Sequence, residues 1–130
     1  MNVELEYVPD IALQKVIVPE VLEIKKDHIN LLGTQFLVLI DEEGNFIRIK
    51  NILLDRASSF KLTELLWNFA FVHLTVQRSR GQFGHREIGV KIKKILDKIL
   101  SKLIRCRNLC DITILIKYME RKGTHINSLL

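Results

Sequence analysis

Cysteine, proline and tryptophan are scarce in this chain: two, two and one among 130 residues. Two cysteines, Cys106 and Cys110, are too few for the disulfide framework of a small secreted protein. They stand four apart, and His28, His73, His85 and His125 are scattered along the chain. A zinc site needs paired short spacings, so the expectation is two buried thiols on one helical face and no metal. His73, inside an apolar run, reads as a core histidine. There is no Gly-rich phosphate loop, and no Ser/His/Asp or Cys/His pairing at a spacing that supports nucleophilic catalysis. No cofactor is implied. The longest apolar stretch, 65–74, is broken by Asn68 and His73 and is too short to span a bilayer. The opening MNVELEYVPD carries acids where a secretory signal needs basic residues, and no apolar core follows. These absences point to an intracellular, cytoplasmic protein with no membrane partner and no catalytic centre.

What the chain does have is apolar residues (48%), charge (27%) and a division of that charge along its length. The composition is globular, and 130 residues suit one domain, 1–130, with a core of useful size. Residues 1–60 hold six Lys/Arg against ten Asp/Glu, a balance of −4; residues 61–130 hold fourteen against five, a balance of +9. A basic half of that kind calls for a polyanionic partner, or else for a solubilising face over an apolar helical region.

The same division appears in the hydrophobic pattern. Val3, Leu5 and Tyr7 alternate with Glu4 and Glu6, which predicts a strand ending near Pro9. LQKVIVP and VLEIK read as short strands interrupted at Pro19, since proline has no N–H for the ladder. TQFLVLIDEEGNFIRIK predicts a hairpin, with Gly44 and Asn45 suited to the positive φ of its loop. Beyond Asp55 the period becomes helical. Ser58, Ser59 and Thr63 offer N-caps for a helix over 60–77 that is apolar nearly all round. A second helix is expected from about 86 to 107, and CDITILIKYMERKG as a third, capped by Gly123, although its β-branched 112–116 also suits a strand. The expected fold is α+β: an antiparallel N-terminal sheet in an acidic strand-rich part, 1–55, packed on two to three helices of a basic part, 56–130.

The second helix carries the sharpest pattern. At about 100° per residue, Lys91, Lys94, Lys98, Lys102 and Arg105 fall in one narrow sector, opposite Ile92, Ile95, Leu96, Ile99, Leu103 and Cys106. Asp97 is the sole acid between Gly89 and Leu109, so the i,i+4 ion pairs of an ordinary solvated helix are nearly missing. Phosphate neutralisation suits such a stripe. Before it lies QRSRGQFGHREIG, which glycines should keep flexible: Arg78, Arg80 and Arg86 would grip a backbone and Phe83 would stack on a base. Lysine is a poor reader of base edges and the link is long for a helix-turn-helix, so single strands are expected over duplex. The function expected is sequence-nonspecific binding of single-stranded DNA or RNA without catalysis. The alternative is a protein-interaction subunit whose basic half docks an acidic partner.

One short stretch resembles an enzyme family. FLVLIDEEGNF, residues 36–46, is similar to the LAGLIDADG motif of homing endonucleases. The resemblance implies that Glu43 ligates a catalytic divalent metal, with Gly44 after it. It covers eleven residues and departs at Val38, where the family packs a small glycine between paired helices. Finally, Leu62, Leu66, Trp67, Phe69, Val72 and Val76, with Leu109, Ile112, Leu115, Ile116 and Met119, amount to more apolar surface than a small domain readily hides, which predicts a homodimer.

Overall fold

The computed structural model describes residues 22–25, 28–31, 34–79 and 84–130. The strands expected before residue 22 lie outside them. Five strands form an antiparallel meander in chain order: β1 (Leu22–Lys25), β2 (His28–Leu31), β3 (Thr34–Ile40), β4 (Phe46–Ile49) and β5 (Ile52–Leu53). Three helices follow: α1 (Arg56–Arg78), α2 (His85–Ile104) and α3 (Leu109–Leu129). The chain is an α+β protein, with its sheet N-terminal to its helices.

The β3–β4 hairpin is closed by a side chain as much as by its backbone. Asp41 Oδ1 accepts the N–H groups of Glu43 and Asn45, each at 2.9 Å. Gly44 sits at φ 87, a region where a Cβ is strained. Register pairs Ile40 with Phe46 but Leu39 with Arg48, so Ile47 is an extra residue. That bulge resets the two-residue alternation and lets Phe46 and Ile49 both face the core. The stretch resembling the endonuclease motif is thus a hairpin rather than a helix, and Glu43 is an exposed residue of its turn.

α1 starts at Asp55, not at the serines. Asp55 is extended, its carbonyl accepts the Ser59 N–H at 2.9 Å, and hydrogen bonding from the Ser58 hydroxyl holds its carboxyl below the ordinary value. Thr63 has another task. Its hydroxyl donates to the Ser59 carbonyl at 2.7 Å and accepts the Phe46 N–H at 2.9 Å, tying the bulged strand to the helix. Beside it, Phe46 and Trp67 lie ring to ring at 6.3 Å. α1 is the central element, packed by β4, α2 and α3. At the α1–α2 crossing, a Cβ on Gly89 would stand 3.3 Å from Val76 Cγ1, so glycine permits the close approach.

α2 ends at Ile104, three residues short of expectation, and Arg105–Asn108 turn the chain. Asn108 Oδ1 accepts the Asp111 N–H at 3.0 Å while Asp111 Oδ2 accepts the Arg107 N–H at 2.8 Å, a reciprocal N-terminal cap. Residues 112–116 are helix. Ile112, Leu115, Ile116 and Met119 recur at helical spacing and are buried, and that packing overrides β-branched preference. Gly123 is no C-cap either; α3 runs through it to Leu129, held by Ile126, which is 2% exposed.

Candidate functional site

α2 divides as its sequence predicts. Ile92, Leu96, Ile99 and Leu103 are buried, with Cys106 just beyond the helix and Ile95 partly covered. Lys91, Lys94, Lys98 and Arg105 are exposed, and Lys102 partly so. From Lys91 to Arg105 the stripe extends about 21 Å, close to one cation per turn. Among the described residues none of these five is ion-paired with a carboxylate. Lys93, off the stripe, is the α2 lysine that pairs, with Asp97 at 3.5 Å. Glu87 sits at the N-terminal end of the stripe, so positive charge gathers toward the C-terminal end.

There the stripe opens into a groove between the end of α2 and the first half of α3, of about 660 Å³. Its charged lining is Lys102, Arg105, Arg107 and Arg121 against one carboxylate, Asp111. That carboxylate is already engaged: Arg107 Nε stands 3.5 Å from Asp111 Oδ2. Arg105 is held in place, donating from Nε to the Ser101 carbonyl at 3.3 Å and from Nη2 to the Ser101 hydroxyl at 3.0 Å. Lys102 Nζ lies over the Tyr118 ring, 4.8 Å from its centroid, and Lys122 Nζ is 5.6 Å from the same centroid. Burial raises the Tyr118 phenol above its ordinary pKa and leaves its hydroxyl without a hydrogen-bond partner. Ile114 lines the groove while 66% exposed. From the sheet, Lys50 at φ 54 reaches across to donate its ammonium to the Ile104 carbonyl, capping α2 beside the groove.

Of the other residues expected at the site, Arg78 is the exposed last residue of α1 and Arg86 an exposed first-turn residue of α2. Arg80 and Phe83 lie outside the described residues. Arg107, Tyr118 and Arg121 were not anticipated. Their one trace in the sequence is the spacing Asp111, Ile114, Tyr118, Arg121, which puts four groove residues on one face of α3.

The two thiols separate. Cys106 is buried in the link, donates to the Lys102 carbonyl at 3.2 Å, and has its pKa raised by burial and then by Asp111. Cys110 is exposed in the first turn of α3, so the expected shared helical face does not form. His73 is a core histidine, 5% exposed, 3.5 Å from Gln77 Nε2, with its pKa lowered by desolvation and then by the charge of Lys93. Among the described residues no three His, Cys, Asp or Glu stand together where they could hold a metal ion, and no helix is long and apolar enough to cross a membrane. Of the eleven apolar residues expected to drive self-association, nine are buried within one chain; Val72 is half-buried and Leu109 exposed. No protein-family model, curated protein or solved structure matches the chain.

Proposed function

We propose that this is a non-catalytic nucleic-acid-binding protein, sequence-nonspecific, that takes single-stranded DNA or RNA along α2. The carrying observation is the exposed run Lys91, Lys94, Lys98, Lys102 and Arg105, without carboxylate partners among the described residues, leading into a groove of four cations and one acid. Neighbouring lysines repel one another, and a phosphate backbone relieves that cost while releasing counterions. The stripe offers lysine, a point charge that does not read base edges, which favours nonspecific binding. Apolar and aromatic side chains lining the groove favour unpaired bases, which stack where paired ones cannot. Arg78 and Arg86 flank the joint that enters α2 and extend the cationic path. The reading places the protein inside the cell, with its partner. A homodimer would double the track, although its apolar rationale is reduced to Val72 and Leu109; light scattering at micromolar concentration giving twice the monomer mass is the result that keeps it.

Titration of labelled single-stranded and duplex oligonucleotides tests the reading. Tighter binding to single strands, with base-dependent quenching of the label, is the expected result. Absence of binding to either, with capture of an acidic polypeptide instead, transfers the basic half to an interaction subunit.

A further inference from the structure

We infer that the groove between the end of α2 and the first half of α3 is a nucleotide subsite, taking one phosphate on Lys102, Arg105 and Arg121 and the attached sugar and base against Ile114 and Tyr118. This rests on reading α2 as a track for a nucleic-acid strand, because the track runs into the groove and ends there.

Three observations lead to that occupant. The first is size. A cavity of about 660 Å³ is in the range of small-molecule sites and exceeds what an isolated phosphate fills. The second is charge. Asp111 is the one acid of the lining and is bound by both the side chain and the backbone N–H of Arg107. Lys102, Arg105 and Arg121 therefore face the groove with no carboxylate pairing them among the described residues. Arg105 is also oriented in advance: Ser101 occupies its Nε–H and one Nη2–H, and the three other guanidinium N–H groups remain to grip an anion. The third is the apolar share of the lining. Ile114 is a large side chain exposed at a cationic site, where an acidic peptide or a bare phosphate leaves it in water and a sugar or base covers it. Tyr118 stands beside it with ammonium groups near its ring, a face on which a base competes once phosphate draws Lys102 away.

The full chain, titrated by calorimetry with thymidine 5′-monophosphate, inorganic phosphate and a labelled oligothymidine, tests the subsite. Arg121→Ala and Ile114→Asp alter the groove at exposed positions, and circular dichroism checks their folds. The nucleotide is expected to bind saturably and about tenfold or more tightly than phosphate, and either variant to weaken it by about tenfold or more. Lys94→Ala/Lys98→Ala should leave it unchanged. Equal affinity for phosphate and nucleotide overturns the inference, as does nucleotide binding that survives both groove variants. Oligothymidine binding without mononucleotide binding removes the subsite and keeps the track. Mononucleotide binding without oligothymidine binding keeps the subsite and removes the track. Competition by an acidic peptide as strong as by the nucleotide overturns the subsite in favour of a protein partner.

Discussion

α1 and α2 are neighbours of similar length, 23 and 20 residues, yet they spend their side chains differently. α1 buries eleven residues and packs against strand and helix alike; α2 buries six, on one face. α1's Lys61 is bound twice, to Glu64 at 3.5 Å and to Glu120 on α3 at 3.4 Å, whereas the α2 stripe has no such partners among the described residues. A charge that closes an ion pair within the fold is explained by the fold. The stripe on α2 is not, and its five cations cost repulsion without a structural return. That contrast separates the residues that build this protein from those that are free to bind.

If the contrast holds, damage to α1 should appear as lost stability and damage to the α2 stripe should not. The largest effect is expected from Leu62→Ala, at a fully buried site: about 2–5 kcal/mol of stability lost, in denaturant titrations read through Trp67 fluorescence. Trp67 is the single tryptophan and is buried beside Phe46, so its emission reports on this core alone. Thr63→Val should cost about 1–3 kcal/mol by the same assay, because it leaves the Phe46 N–H buried without its acceptor. Little or no change there would mean that the sheet docks on α1 through apolar contact alone.

A smaller effect concerns pH. The folded state holds His73 below its ordinary value of 6.5, so protonation favours the unfolded chain. Its contribution is therefore fully present above that value and is lost as pH falls from there through the depressed folded value. His73→Leu should flatten the stability profile over that acid window and leave it unaltered at pH 8. A profile of unchanged slope would assign the acid sensitivity to other groups.

Local pattern made much of this legible. The hairpin at residues 34–49 and the two faces of α2 follow from periods of two and of about 3.6 residues, which the sequence displays directly. What depends on distant partners was not legible. β2 is four polar and apolar residues without strict alternation, and β5 is two residues long; both exist because a neighbouring strand supplies hydrogen bonds. The N-cap fell to Asp55 because Thr63, a plausible cap by type, is committed to Phe46 across the sheet–helix interface. The groove was hidden for the same reason. Lys102 and Arg105 come from one helix, Tyr118 and Arg121 from another, and only the turn at 105–108 folds them together.

The smallest structural change carries the most direct test. Lys94→Ala/Lys98→Ala removes two exposed cations and touches no buried residue, so stability should move by no more than about 0.5 kcal/mol. Affinity for a labelled single strand, measured from low to moderate salt, should fall for every sequence alike. The slope of log K against log salt should shrink by roughly 1.4–1.8, the amount for two lost phosphate contacts. An unchanged slope and affinity would show that the stripe is a solvated face, and would contradict the assignment of α2 to nucleic acid.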